Sequence, residues 1–253
     1  MMRMRHFCCR RSPSYVTCQG GYSSLFRSAY GKEQAGPAVG AQLPLLLQRP
    51  VLIFEVRLYG ILEDKRMRKV ILYIAVSLDG YIADRDGGTS WIAGENSEYT
   101  GDYGYAAFTE EIDTVVMGYR TYRQVREELS PGRWVYAGMT TYVLTHQAGE
   151  ADTEEICFTS GSPAELLAAL KRRPGKHIWV NGGADVAQQC LKSGMIDELR
   201  LYTMPVLLGG GLRLFGGEMA RQALRLISVR AENGVVESVY RRRSDGETEE
   251  EES

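Results

Sequence analysis

Two junctions between a predicted strand and a predicted helix contain glycines in positions suited to binding an anion. In the first, Val180 and Asn181 are followed by Gly182-Gly183 and then by Ala184-Asp185, where a helix is expected to begin. Two adjacent glycines let backbone N–H groups approach a ligand closely, and the positive end of the helix dipole strengthens the attraction. This spacing predicts contact with a phosphate group.

The second junction, Met117–Thr121, has the sequence MGYRT. Gly118 gives access to the backbone, Thr121 offers a hydroxyl, and Arg120 supplies a cation suited to phosphate. Each junction taken alone is also compatible with an ordinary tight turn. Two of them in one sheet, one with an arginine, favour an anion cradle. Neither junction matches the GxGxxG or the Walker A pattern.

A long loop, Asp79–Asp102, is predicted after the first strand, and it contains the aromatic residues Trp91 and Tyr99. Loops longer than about 12–15 residues inside a compact domain commonly serve as lids or binding loops. The aromatic side chains either stack on a planar ring or pack the loop against the domain. We expect Trp91 to contact the ring of a substrate.

The sequence does not support metal-dependent or triad hydrolysis, because it contains neither HExxH nor GxSxG. Beyond residue 66 the cysteines are Cys157 and Cys190, which do not form a CxxC pair, so no metal is expected. The sparse use of cysteine indicates a reducing compartment and predicts a cytoplasmic protein.

The elements that must position these residues follow from the apolar patterning. Strands are predicted at 69–78, 114–117, 141–145, 156–159, 177–180 and 198–204, with helices between most of them. Asn233-Gly234 separates two further strands and is a strong hairpin signal. The pattern predicts an α/β fold of three layers, with a mostly parallel sheet of about eight strands. Helices cover both faces, and an antiparallel hairpin lies at the C-terminus.

Composition divides the 253 residues into three parts. Residues 1–66 hold ten basic and four acidic residues and form a basic leader, whereas residues 67–253 hold twenty basic and twenty-eight acidic residues. We expect the leader to be a mis-assigned start before Met67, a targeting segment or a disordered tail. Residues 67–243 form the domain, and 244–253 form an acidic, disordered tail. Nucleic acid is an unsuitable partner for the acidic part, and no apolar run is long enough to cross a membrane.

Four segments in order resemble the dihydrofolate-reductase-like superfamily. They are AVSLDGYIA (75–83), TVVMGYRTY (114–122), IWVNGGADV (178–186) and DELRLYTMPVLLGGGLRLF (197–215). Within the superfamily the chain is similar to the reductase domain of the bacterial riboflavin-biosynthesis deaminase-reductase. The resemblance covers residues 67–242. It implies a reductase that uses NADPH to transfer a hydride to a pteridine- or pyrimidine-like heterocycle.

The resemblance also implies which residues contact the cofactor. Ala75 and Ile82 would border the nicotinamide, and Asp79 corresponds to an aspartate that anchors a loop. The residues implied for the phosphates and the adenosine ribose are Gly118, Arg120, Thr121, Leu144, Thr145, Gly182, Gly183, Ala184, Asp185 and Gln188. Members of this branch commonly pair through their C-terminal strands, which implies a homodimer.

Two departures from the family pattern concern the substrate. Dihydrofolate reductases place a carboxylate at the start of the first helix; here the proton donor is open between Glu95, Asp102, Tyr103 and an ordered water. Riboflavin-pathway reductases usually have a lysine in the first strand where this chain has Tyr73, which we expect to contact the substrate. The alternatives are a 5-amino-6-(5-phosphoribosylamino)uracil reductase and a non-catalytic dinucleotide-binding module. The zinc signature of the deaminase domain is absent.

Overall fold

A computed structural model describes residues 68–147 and 149–243. The basic leader 1–66 and the acidic tail 244–253 lie outside the described residues, so their predicted disorder stays a prediction. Within the described part of the chain, no helix is both long enough and apolar enough to span a lipid bilayer.

Eight strands form one sheet in the order β5-β4-β3-β6-β1-β7-β10-β9, and two short strands form a second sheet. The strands are β1 (Val70–Ser77), β2 (Tyr81–Ala83), β3 (Ile112–Gly118), β4 (Thr140–Leu144), β5 (Ile156–Thr159), β6 (His177–Gly182), β7 (Glu198–Met204), β8 (Leu212–Arg213), β9 (Leu224–Glu232) and β10 (Val235–Arg242). Strands β1 and β3–β7 pair in parallel, whereas β10 is antiparallel to both β7 and β9. The predicted fold class is confirmed.

Within the described residues four α-helices pack on the sheet: α1 (Tyr105–Glu110), α2 (Tyr119–Gln124), α3 (Pro163–Lys171) and α4 (Ala184–Lys192). A π-helical turn, Val125–Leu129, continues α2. Successive residues of a strand point to opposite faces. Ile71 of β1 packs against Phe108 of α1 and its neighbours, while Val70 and Leu72 are fully buried on the other face. Burial on both faces explains why β1 is an almost unbroken apolar run.

Local sequence signals mark where several elements begin or end. The Ser162 hydroxyl accepts a hydrogen bond from the Glu165 backbone N–H at 3.2 Å and caps α3. Gly194 follows α4 with φ 70°, a conformation that favours glycine. Asn233 and Gly234 have φ values of 49° and 76°, which suit the tight turn between β9 and β10.

The prediction of a continuous loop over residues 79–102 was wrong in one respect, because strand β2 lies within this segment. Strand β2 pairs antiparallel with β8, about 130 residues later in the chain. The Arg213 guanidinium lies over the Tyr81 ring at 4.5 Å from its centroid. Strands of three and two residues are too short to show a periodic pattern, so only the tertiary contact defines them.

A buried carboxylate joins strands at the end of the sheet where β7 begins. Glu198 is 1% exposed and accepts hydrogen bonds from Arg200 Nε at 2.7 Å and Arg241 Nε at 2.9 Å. Burial alone would raise the pKa of Glu198, but the hydrogen bonds and charges of the two arginines outweigh it. They hold the pKa below its ordinary value. The ionised carboxylate therefore stabilises the folded chain.

We expect Glu198→Gln to lower the free energy of unfolding at pH 7 by about 2–3 kcal/mol, because the guanidinium groups of Arg200 and Arg241 each lose a buried anionic partner. Since the wild-type pKa is lower in the folded than in the unfolded chain, the stabilisation is lost as the pH falls through the folded-state value. The variant will therefore show a shallower loss of stability in acid. Urea unfolding followed by circular dichroism at several pH values measures both effects.

Glu111→Gln is the matched control. Its carboxylate also contacts Arg200, at 3.1 Å, but the side chain is 48% exposed. Exposed ion pairs contribute little, so we expect a change of about 0.5 kcal/mol or less. Equal losses in the two variants would contradict a special role for Glu198.

Candidate active site

A cleft of about 1300 Å³ opens at the edge where the parallel strands end. Residues at or just beyond the carboxyl ends of several strands line it: Gly118 at the end of β3, Leu144 at the end of β4, Ser160 after β5 and Gly183 after β6. Open parallel sheets bind ligands at this edge because the loops there lead into helix N-termini. The topology therefore brings the two glycine-containing junctions to one site.

The two junctions form a single wall of the cleft, here called the glycine wall (Gly118–Thr121 and Gly183–Asp185). An added Cβ at Gly183 would lie 3.2 Å from the Thr121 hydroxyl oxygen, so the junctions nearly touch. Gly118 and Gly183 are the N-caps of α2 and α4, and no side chain caps either helix. Uncapped N-terminal N–H groups remain available to an anion.

Arg120 adds a cation to the glycine wall. Its side chain is exposed and lines the cleft. Among residues 68–147 and 149–243, the structure shows no hydrogen-bond or ion-pair partner for its guanidinium. Nearby Arg123 differs, because it is paired with Glu127 at 2.8 Å. Arg120 is thus the junction's arginine that is free to meet a phosphate.

A second wall, here called the aromatic wall, consists of the rings of Tyr73, Tyr136 and Trp179 and the side-chain amide of Asn181. The Tyr136 and Trp179 rings lie 5.2 Å apart in an edge-to-face contact, and the Asn181 side-chain amide donates to the Tyr136 hydroxyl at 2.5 Å. Burial raises the pKa of Tyr136, so the phenol keeps its proton at neutral pH. These four side chains are uncharged and suit a planar, neutral ring.

The structure brings eleven of the predicted site residues to the cleft: Tyr73, Ala75, Ile82, Gly118, Arg120, Thr121, Leu144, Thr145, Gly183, Ala184 and Asp185. Seven others do not line it: Asp79, Gly182, Trp91, Gln188, Glu95, Asp102 and Tyr103. Gly182 nevertheless has φ 119°, and its peptide bond to Gly183 is cis. The Gln188 side chain donates to the Arg213 carbonyl at 3.2 Å.

The three candidate proton donors have structural contacts away from the cleft. The Asp102 carboxylate accepts hydrogen bonds from the backbone N–H groups of Gly104 and Ala106, both at 2.8 Å. The Tyr103 hydroxyl accepts one from the Asn233 side chain at 2.8 Å. Glu95 lies beside the β9–β10 turn, where a Cβ at Gly234 would collide with its side chain. Their geometry supports roles in holding the loop.

Trp91 is placed by packing within the domain. Its indole N–H donates to the Gly88 carbonyl at 3.1 Å, and its ring packs against the cluster of Tyr202, Met204 and Val235. Of the two interpretations of the aromatic loop, these contacts of Trp91 favour the one in which the loop packs against the domain.

Several cleft residues were missed by the sequence analysis: Tyr136, His146, Ser160, Gly161, Ser162, Trp179 and Asn181. Trp179 sits inside a predicted strand, where an aromatic residue is expected to be core. Tyr136 lies in a segment without periodic pattern. Asn181 had a usable signal, because it is a polar residue at the end of a buried strand and directly precedes the glycine pair.

Asp79 anchors the loop that follows β7. Its carboxylate accepts hydrogen bonds from the Ser77 hydroxyl at 2.6 Å and from the backbone N–H groups of Leu208 and Gly209 at 3.1 and 2.8 Å. The Ser77 hydroxyl, followed by these N–H groups, lowers the pKa of Asp79 to about 2. The carboxylate is therefore ionised throughout the physiological range.

We expect Asp79→Asn to expose the Leu208 and Gly209 amides to hydrogen exchange while the sheet keeps its protection, because an amide oxygen is a weaker acceptor than a carboxylate. In the wild type the same protection will persist in acid until the pH approaches 2. Hydrogen exchange followed by mass spectrometry or NMR measures it. Asp84→Asn is the control, since that carboxylate binds the Asp86 and Gly88 amides instead. Unchanged exchange at Leu208 and Gly209 in Asp79→Asn would contradict the anchor.

Metal-ligating side chains are not clustered in the described ranges: no group of three or more His, Cys, Asp or Glu residues is placed to hold an ion.

Comparison with known proteins shows relatives along most of the described domain. The chain is 38% identical over 159 residues to the uncharacterized protein YwjB of Bacillus subtilis, covering 63% of this chain and 89% of that protein. A crystal structure from Shewanella sp. PV-4, described as a candidate riboflavin biosynthesis protein, is 28% identical with a TM-score of 0.62. That match covers 70% of this chain and 99% of the other.

A third match shows the fold. The diaminohydroxyphosphoribosylaminopyrimidine deaminase/5-amino-6-(5-phosphoribosylamino)uracil reductase of Thermotoga maritima is 17% identical with a TM-score of 0.54, covering 76% of this chain and 63% of that one. The family model described as the RibD C-terminal domain matches residues 68–236, about two thirds of the sequence. The resemblance stated from the four motifs is confirmed, and the chain belongs to the RibD C-terminal domain family.

Proposed function

We propose that this protein is an NADPH-dependent reductase that transfers a hydride to a pteridine- or pyrimidine-like heterocycle. One observation carries the proposal: a wall with two uncapped helix N-termini and a free arginine shares a cleft with a wall of uncharged aromatic side chains. The first wall suits the phosphates of a dinucleotide, and the second suits planar rings. Membership of a family of reductase domains supports the same assignment.

The residues present fit the cofactor. Backbone N–H groups of the glycine wall would hold the pyrophosphate, and Arg120 would neutralise a further phosphate. Ala75 and Ile82, which line the cleft, would border the nicotinamide. When bound, the cofactor supplies the hydride.

The protein itself supplies position and exclusion of water. Tyr136 and Trp179 are buried in the domain, so the part of the cleft that they line is apolar and keeps water from that side of a bound ring. The aromatic wall holds no carboxylate; the carboxylates that line the cleft, Asp86, Glu128 and Asp185, belong to other parts of its lining. We therefore propose that an ordered water delivers the proton that must accompany the hydride.

The second candidate is a 5-amino-6-(5-phosphoribosylamino)uracil reductase. The family match favours it, and Arg85, a further cation on the cleft, could meet a substrate phosphate. Turnover assays with dihydrofolate and with the phosphoribosylaminopyrimidine distinguish the two candidates. NADPH binding without cofactor consumption on any pteridine or pyrimidine would favour a non-catalytic dinucleotide-binding module.

We expect Arg120→Ala to weaken NADPH binding about tenfold or more and NADH binding much less, because the guanidinium is proposed to pair with the 2′-phosphate that only NADPH has. Isothermal titration calorimetry and thermal shift measure the two affinities. Bound cofactor stabilises the fold by RT ln(1 + [L]/Kd), so the shift scales with affinity.

Arg123→Ala is the matched control, since Arg123 lies three residues after Arg120 and its guanidinium is engaged by Glu127. Equal losses for NADPH and NADH in Arg120→Ala would place the residue on the pyrophosphate. A wild-type protein that neither NADPH nor NADH stabilises would contradict the proposed function.

A cytoplasmic homodimer is part of the proposal. The buried Cys190 keeps a free thiol, which supports a reducing location. Strand β9 ends the sheet, and all nine of its residues are exposed, including Leu226 and Val229 at 52% and 56%. A long edge strand with exposed apolar side chains suits pairing with a second copy.

We expect Leu226→Glu combined with Val229→Glu to convert a dimer into a monomer, because carboxylates on both copies would meet at the shared edge. Size-exclusion chromatography with light scattering measures the mass. Leu207→Glu is the control, as this leucine is 69% exposed but lies outside β9. A wild-type monomer would contradict the homodimer, and a dimer that survives the double substitution would exclude β9 as its interface.

A further inference from the structure

The Tyr136 hydroxyl and the Asn181 side-chain amide meet in the aromatic wall of the cleft. Trp179 and Asn181 are two residues apart in β6, so both side chains project to the same face of the sheet. The Tyr136 ring packs edge-on with Trp179 and Trp134, at centroid distances of 5.2 and 5.3 Å. Tyr136 is only 7% exposed. Packing therefore fixes the ring and holds its hydroxyl beside Asn181.

The hydrogen bond between these two side chains has a defined direction. The Asn181 Nδ2 atom lies 2.5 Å from the Tyr136 hydroxyl oxygen. An amide nitrogen carries protons and does not accept, so it is the donor and the phenol oxygen is the acceptor. The single proton of the Tyr136 phenol is therefore not used by this bond. Among residues 68–147 and 149–243, the structure shows no acceptor for that proton.

The unused proton of Tyr136 is available to a ligand. Both side chains of the hydrogen bond line the cleft, and the rest of the aromatic wall, Tyr73 and Trp179, is uncharged. Burial raises the pKa of Tyr136, so the phenol keeps its proton at neutral pH. A hydrogen bond is stronger in such apolar surroundings than in water, whereas a buried donor without an acceptor is costly. A ligand atom that accepts this proton is therefore favoured.

We propose that the Tyr136 hydroxyl donates a hydrogen bond to the bound heterocycle and selects rings that present a carbonyl oxygen or an unprotonated ring nitrogen to the aromatic wall. Asn181 is a positioning residue, because its N–H occupies the phenol oxygen and so directs the O–H toward the ligand. Tyr136 holds the acceptor and keeps its own proton, a role separate from that of the ordered water. The inference deepens the proposed function and rests on it for the identity of the ligand as a planar heterocycle.

The test compares two uncharged bicyclic probes of the same shape: quinoxaline, which has two ring-nitrogen acceptors, and naphthalene, which has none. Ligand-observed NMR titration of the full chain at pH 8, with and without NADPH, gives their dissociation constants. The measured quantity is the ratio of these constants, naphthalene over quinoxaline. We expect Tyr136→Phe to lower this ratio about fivefold relative to the wild type, the usual size of one hydrogen bond.

Tyr122→Phe is the matched control for the loss of a phenol oxygen. Tyr122 is a buried tyrosine of the same hydrophobic cluster, and its hydroxyl accepts a hydrogen bond from Arg126 Nη1 at 2.7 Å. Tyr122 does not line the cleft. We therefore expect this variant to keep the wild-type ratio.

Asn181→Asp tests the direction of the hydrogen bond. An ionised carboxylate can only accept, so it takes the Tyr136 proton, and we expect the ratio to fall about fivefold, as in Tyr136→Phe. A more polar wall by itself would favour quinoxaline and raise the ratio, so the two explanations predict opposite signs. If the variant does not fold, 3-fluorotyrosine incorporated at residue 136 tests the same point, because a more acidic phenol is a stronger donor and will raise the ratio.

A ratio that stays at the wild-type value in Tyr136→Phe, or that falls equally in Tyr122→Phe, overturns the inference. So does an unchanged or higher ratio in Asn181→Asp, an unchanged or lower one with 3-fluorotyrosine, or a wild-type protein that binds neither probe. If NADPH still raises the melting temperature of the wild type in these cases, the proposed function stands. Absence of NADPH stabilisation overturns the proposed function instead, while the ratio measured without cofactor still reports on Tyr136.

Discussion

The position of β6 between β1 and β3 is the constraint on which the cleft depends. Parallel pairing on both sides of β6 aligns three strand ends at one edge. On one side, Gly183 meets Thr121, and two helix N-termini converge. On the other, Trp179 reaches the β1 backbone at Tyr73. A single central strand thus sets both the polar and the aromatic wall, so neither wall can shift without the other.

The two ends of the parallel strands have different roles. The strand ends that form the cleft leave two helix N-termini without a side-chain cap and, among residues 68–147 and 149–243, Arg120 without a partner, so these groups are available to a ligand. At the other edge, where β7 begins, Glu198 satisfies two arginines from adjacent strands. Polar groups that hold the strands together are therefore separated from those available for binding. This separation is common in folds whose loops vary while the sheet is kept.

Local patterns predicted the sheet and the glycine wall, because strands, helix caps and the Asn233-Gly234 turn are encoded by neighbouring residues. Local patterns could not predict the positions of the proton-donor candidates. Glu95, Asp102 and Tyr103 share a loop whose path is set by Asn233 and Arg230, more than 120 residues away. No periodicity reports such a contact. The place of Tyr136 in the cleft was not predicted for the same reason, since only the fold brings it to Asn181.

The small sheet of β2 and β8 has a consequence for how related proteins can diverge. Ile82 and Ala83 of β2 line the cleft, and their outer partner is the segment after β7, which Asp79 also clasps. Part of the rim of the cleft is thus held in place by a segment that is remote in the sequence. Insertions or deletions between β7 and β9 would reshape the entrance while the central strands stay untouched. New ligand preferences could arise there by changes in length alone, with little risk to folding.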